Sequence, residues 1–161
     1  MTPSDAVTAS TPATTTDSYL LPGLGKPVAS PDGLDTPFWE GLRENKLMIQ
    51  RCNGCKHWQW GPEWLCFRCH SFDMGFDEVS PEGVIYSHQR VWHPVHPALK
   101  DQGAYVIVLV ELPQADNVRV IGNLLGDPEQ DLVIGAKVEA VFEHHPDDDP
   151  PHTLLQWRVE G

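Results

Sequence analysis

Short runs of Val, Ile, Leu and Phe, broken by Gly, Pro, Asp and Asn, dominate the second half of the chain. Five of these runs have strand length: residues 83–87 continuing toward Val91 and Trp92, then 105–111, 118–124, 137–143 and 153–159. The second, Val106-Ile107-Val108-Leu109-Val110, is apolar at every position and predicts a strand covered on both faces. The fourth and fifth alternate, as half-buried strands do. Five short strands with one central member predict a Greek-key barrel of the OB-fold kind over residues 80–161. Its long loops are residues 92–103, with His93 and His96, and 144–152, with Asp147, Asp148 and Asp149.

Upstream, Asp35-Thr36-Pro37 signals a helix start: Thr36 is placed to cap, and Pro37 fits the first turn. Phe38, Trp39 and Leu42 share one face, and Asn45 suits a left-handed exit, which gives a short helix within residues 35–46. So short a helix is marginal alone, so Phe38 and Trp39 must dock. They can dock on this chain's own ribbon or barrel, or on a partner surface. Residues 1–34 are rich in Thr, Ser, Pro, Ala and Gly, with few large apolar side chains beyond Tyr19, Leu20, Leu21 and Leu24. They are expected to be a disordered tail or an extended arm.

Composition adds one strong feature. All four cysteines fall in two Cys-x-x-Cys pairs, Cys52/Cys55 and Cys66/Cys69, with ten residues between them. Each pair offers two sulfurs from one tight turn, and two pairs complete a tetrahedral four-thiolate site. This predicts a zinc ribbon over residues 47–79, with one structural zinc per chain. Rubredoxin-type iron uses the same ligands, and spacing does not separate the two metals. No run reaches the roughly 18 to 20 apolar residues that span a bilayer, and the first 20 residues lack the apolar segment of a secretory signal. The expected location is the cytoplasm, where paired thiols hold metal rather than disulfides. Arg51, Lys56 and Arg68 lie beside the cysteines and could offset the negative charge of a zinc tetrathiolate, or could be ordinary solvated charges.

Charge narrows the partners. Of the net −12, residues 80–161 carry −8, with five basic against thirteen acidic residues. That balance repels polyanions, so the nucleic-acid binding that zinc ribbons and OB-folds often support is disfavoured despite six tryptophans. No cysteine is left over as a nucleophile, and no Gly-x-Ser-x-Gly, phosphate-cradling glycine loop or His-Glu-x-x-His motif is present.

Several segments in order carry a family resemblance: Pro37-Phe38-Trp39-Glu40-Gly41-Leu42, Gln50-Arg51-Cys52, the second cysteine knuckle, Gly83-Val84-Ile85-Tyr86-Ser87, Val108-Leu109-Val110-Glu111-Leu112, and Gly135-Ala136-Lys137-Val138-Glu139 before Val141-Phe142-Glu143. Over about residues 35–145 the chain resembles the acyl-CoA-associated family known as domain of unknown function thirty-five, a rubredoxin-like zinc ribbon followed by an OB-fold. The resemblance implies a non-catalytic subunit of a hetero-oligomer with a thiolase-like protein. There the partner holds the reacting groups, and this chain helps to bind or orient a CoA thioester. Thiolysis, acyl transfer and retro-aldol cleavage, including steroid side-chain degradation, are all compatible with it. A free-standing acyl-CoA-binding module is the alternative.

Within the barrel, Arg90, Trp92, His93 and His96 are the candidates for a rim where a CoA thioester or partner loop docks, with Lys100 and Arg119 as further cations for CoA phosphates. For His93 and His96, surface or packing roles in a Pro-rich loop are the stronger reading. His144, His145 and His152 flank the acidic loop; weak adventitious metal binding is open to them, and a solvated loop is the favoured reading.

Overall fold

The computed structural model describes residues 27–93, 95–99 and 103–160. The leucines at 20, 21 and 24 and Lys100 lie outside the described residues. Helix α1 (Thr36–Arg43) opens with Asp35, not Thr36, at the cap position, and no side chain caps it. The Asp35 carboxylate is engaged otherwise: it accepts from the Ser30 amide at 2.7 Å and from Trp39 Nε1 at 2.9 Å. The far end closes as expected. Asn45 is left-handed at φ 58°, and the amides of Lys46 and Asn45 return to the carbonyls of Gly41 and Leu42.

Strands β1 (Leu47–Cys52), β2 (Trp58–Gln59) and β3 (Met74–Val79) form an antiparallel sheet in the order β2-β1-β3. Two residues later the chain enters the barrel: β4 (Glu82–Val91), β5 (Tyr105–Leu112), β6 (Val118–Leu124), β7 (Lys137–His145) and β8 (His152–Val159). The spatial order β4-β5-β6-β8-β7 closes on β4. All pairings are antiparallel except the seam of β6 with β8, which is parallel at Leu124 and Trp157. This is the closed five-stranded barrel of an OB-fold.

β5 departs from expectation. Val106, Val108, Val110 and Leu112 are fully buried, but Tyr105, Ile107, Leu109 and Glu111 are only half-buried. One face of the strand points into the barrel and the other is partly open; apolar side chains on both faces hid the alternation. The largest fully buried side chain is Trp157. It lies across Gly122, where a Cβ would stand 2.7 Å from its ring and 2.8 Å from the Leu155 carbonyl, so only glycine fits.

Ribbon, helix and barrel share one apolar core, running from Phe38, Leu42, Leu47 and Ile49 into Val106, Val110, Leu124 and Trp157. Phe38 sits inside this core, edge-on to Trp60 with ring centroids 4.6 Å apart. Trp39 is half-buried at its margin. Among the described residues no helix is long and apolar enough to cross a membrane.

Candidate metal centre and adjoining surfaces

The two knuckles are built alike. In the first, the Lys56 amide bonds to the Cys52 carbonyl and the Cys52 amide to the His57 carbonyl; in the second, His70 bonds to Cys66 and Cys66 to Ser71 in the same way. Lys56 (φ 63°) and His70 (φ 58°) are left-handed at matching positions just after each pair. The turns aim the four sulfurs at one point. Cys52 Sγ lies 3.6 Å from Cys69 Sγ, Cys55 Sγ lies 3.6 Å from Cys66 Sγ, and all four are within 4.8 Å of one another. A tetrahedron of sulfurs around zinc has edges of about 3.8 Å, so the cage has the size the ion requires.

Its electrostatics call for a cation as well. The Cys69 amide, and after it that of Arg68, lowers the Cys66 thiol to about 6. The Ser71 amide pulls the Cys69 thiol down too, but the neighbouring Cys55, with burial, Cys52 and Cys66, carries it up to about 12. Four adjacent sulfurs cannot all ionise unless a positive ion compensates them. Zinc held by Cys52, Cys55, Cys66 and Cys69 would have no open position, so its part is structural.

Arg51 does not face the sulfurs: its guanidinium donates to Asp77 at 2.9 Å and to the Lys56 carbonyl, and lies over the Trp58 ring. Sequence reasoning missed the groups that do brace the cage. Gln50 and Gln59 face each other across β1 and β2, 1% and 2% exposed. Gln50 Oε1 accepts from Gln59 Nε2 at 2.8 Å and from the Glu63 amide, while Gln50 Nε2 donates to the Glu63 carbonyl. Gln59 also donates to the Leu65 carbonyl at 3.2 Å and accepts from the Phe67 amide at 3.1 Å, gripping the backbone on both sides of Cys66. The available signal was two amides inside otherwise apolar strand segments, Ile49-Gln50 and Trp58-Gln59-Trp60.

Of the loop candidates, Arg90 and Trp92 come together, with the guanidinium 5.7 Å from the ring centroid. They line an open depression of about 460 Å³ with His88, Gln89, Asp131 and Leu132. Arg90 Nη2 donates to the Gln130 carbonyl at 2.6 Å, and its Nε is buried without a partner among the described residues. His93 and His96 are exposed and do not line this depression. Arg119 pairs with Glu111 at 3.0 Å and stacks on Tyr86. Of the histidines beside the acidic loop, only His144 is exposed; His145 is half-buried and His152 is 5% exposed. Both inner rings belong to the packed hairpin rather than to solvent.

Fold and sulfur cage together define a zinc-ribbon protein with an OB-fold barrel. Family models agree segment by segment: the ChsH2 rubredoxin-like zinc ribbon domain matches residues 39–75, and the ChsH2 C-terminal OB-fold domain matches residues 77–143. The chain belongs to this ChsH2 family, whose members are also called DUF35 proteins.

Among relatives, a probable enoyl-CoA hydratase alpha subunit of Thermomonospora curvata is 37% identical over 65% of this chain and 32% of its own length. The 3-oxo-4,17-pregnadiene-20-carboxyl-CoA hydratase alpha subunit of Mycobacterium tuberculosis is 28% identical over 84% of this chain and 45% of its own. The chain thus spans less than half of either. A DUF35 domain-containing scaffold protein of Methanocaldococcus jannaschii is 30% identical, with 68% and 77% covered. Among solved structures, the Ltp2-ChsH2(DUF35) aldolase matches with a TM-score of 0.69 and 31% identity, covering 83% of this chain and 98% of that one. Hydratase subunits were not among the classes expected from sequence.

Proposed function

We propose that this chain is the accessory, non-catalytic subunit of an enzyme that cleaves a carbon–carbon bond in a CoA thioester by a retro-aldol reaction, with a thiolase-like partner supplying the reacting groups. The observation that carries this reading is the near-complete coverage, 98%, of the matched chain of the Ltp2-ChsH2(DUF35) aldolase. The chemistry of the chain supports it. All four cysteines are drawn into the metal cage, which leaves no thiol for nucleophilic work. The Arg90–Trp92 depression is the surface offered to the CoA moiety: a cation beside an aromatic face suits a phosphate next to a purine.

A second reading, an accessory part of a hydratase, is favoured by the 37% identical hydratase alpha subunit. The two are chemically adjacent. Adding water across an α,β-unsaturated thioester yields the β-hydroxy thioester that a retro-aldol step cleaves.

The test is co-expression with a thiolase-like protein, native mass measurement, and turnover of a β-hydroxyacyl-CoA and of an enoyl-CoA. A stable hetero-oligomer that cleaves the hydroxy thioester, with no turnover by this chain alone, is expected. Hydration without cleavage selects the second reading. A monodisperse chain that binds acyl-CoA and forms no complex refutes both and leaves a free-standing binding module.

A further inference from the structure

The hairpin joining β7 to β8 carries a second set of metal-type donors. Cross-strand register puts His145 opposite His152, and Asp148 stands in the turn between them. One donor atom from each lies within 4.8 Å of the other two. His152 Nδ1 is 3.3 Å from the Pro150 carbonyl and 3.8 Å from Asp148 Oδ2, while its Nε2 is buried with no hydrogen-bond partner among the described residues. With the proton on Nδ1 and donated to the carbonyl, Nε2 holds a bare lone pair, which burial without a partner penalises.

His145 is prepared in the same manner. Its Nε2 lies 2.8 Å from Glu143 Oε1, and Glu143 is itself 5% exposed. The second oxygen of that carboxylate accepts from Gln156 Nε2 at 2.9 Å, and Gln156 Oε1 accepts from the Asn123 amide at 3.0 Å. A chain of buried partners therefore holds the ring and leaves Nδ1 as its donor. Metal-binding histidines are held in this way, with one nitrogen anchored on a carboxylate or carbonyl and the other presented. Here both histidines have such an anchor.

We propose that His145, Asp148 and His152 form a second metal site, for a divalent transition ion of the zinc class. Two imidazoles and one carboxylate select such ions over calcium or magnesium, and three protein ligands leave a coordination position for water. The imidazoles are stacked, 4.7 Å between centroids and 11° between planes. No single ion lies in both ring planes, so binding turns one ring about χ2 and gives up that ring's anchoring hydrogen bond, while the other ring keeps its own. Donors around a tetrahedral ion stand about 3.4 Å apart, and the half-buried Asp148 on its turn closes the remaining gap. Ion binding thus unstacks the pair and draws residues 146–151 inward.

The test uses the full, tag-free chain already carrying one zinc by elemental analysis. Native mass spectrometry and calorimetric zinc titration should show a second equivalent. Cobalt added to the same protein should give weak nitrogen–oxygen ligand-field bands without a thiolate charge-transfer band. Asp148→Asn, which keeps the side chain's size and shape, should weaken the second equivalent at least about 10-fold, and His145→Gln should do likewise, with the first zinc untouched and the melting transition confirming that each variant is folded. The proposal is overturned if the wild-type chain takes one zinc only, or if a second equivalent binds with the same affinity in the Asp148→Asn/His145→Gln double variant.

Discussion

Gln59→Leu tests how the ribbon holds its metal. The change leaves Gln50 Oε1 with the Glu63 amide, but strips partners from the Leu65 carbonyl and the Phe67 amide. Each orphaned group costs about 1–3 kcal/mol when fully buried, and these two are part-buried, so about 1 kcal/mol apiece is expected. Loss of the Gln59–Gln50 bond adds about 1 kcal/mol, for a total of about 2–3 kcal/mol. In urea, with slopes of about 1–3 kcal/mol/M, the unfolding midpoint should fall by about 1–2 M at fixed free zinc. Because the lost contacts flank Cys66, zinc transfer to a chelator should accelerate about 10-fold as well. A midpoint shift equivalent to less than about 0.5 kcal/mol, the range of ordinary surface changes, would show that Gln59 does not clamp the knuckle. So would a full stability loss with unchanged zinc transfer.

Three further outcomes are expected. Gly122→Ala should lose about 1–3 kcal/mol in thermal or chemical unfolding, since its Cβ meets both the Trp157 ring and a backbone carbonyl; an unchanged melting curve would contradict the crowding described. Phe38→Ala, which empties a 7% exposed site between Trp39 and Trp60, should cost about 3 kcal/mol, and a loss below about 1 kcal/mol would mean that the helix is not anchored there. Cys52→Ser or Cys69→Ser, or chelation of the wild-type chain, should remove one zinc and yield insoluble or strongly destabilised protein, measured by metal content and melting; metal-free protein with an unaltered transition contradicts a structural zinc.

The barrel and the cage were legible in sequence because their signals are local. Each strand is a β-branched run ended by turn residues, and a Cys-x-x-Cys pair specifies its own knuckle. What escaped depends on neighbours distant in sequence. β5 looked covered on both faces because its outward Ile107 and Leu109 are as apolar as its inward valines. Asp35 displaced Thr36 as the cap residue, and its carboxylate is occupied by Trp39. Gln50 and Gln59 gave no periodic cue, since their burial follows from a loop folding over them. For the β7–β8 histidines sequence favours a solvated loop over weak metal binding, because nothing local reveals that His152 faces a cross-strand imidazole or that its buried nitrogen finds no mate among the described residues.

The shared core has a consequence for how such a chain can be reused. Helix α1 touches β1 on one side and β7 and β8 on the other, and Phe38 and Leu42 belong to the same cluster as Trp157. Cutting at residue 80 would open an apolar wound on both fragments. Ribbon and barrel must therefore be inherited, transplanted or fused to an enzyme as a single block. A graft of the barrel without its metal-bearing half is expected to aggregate rather than serve as a smaller version of the protein.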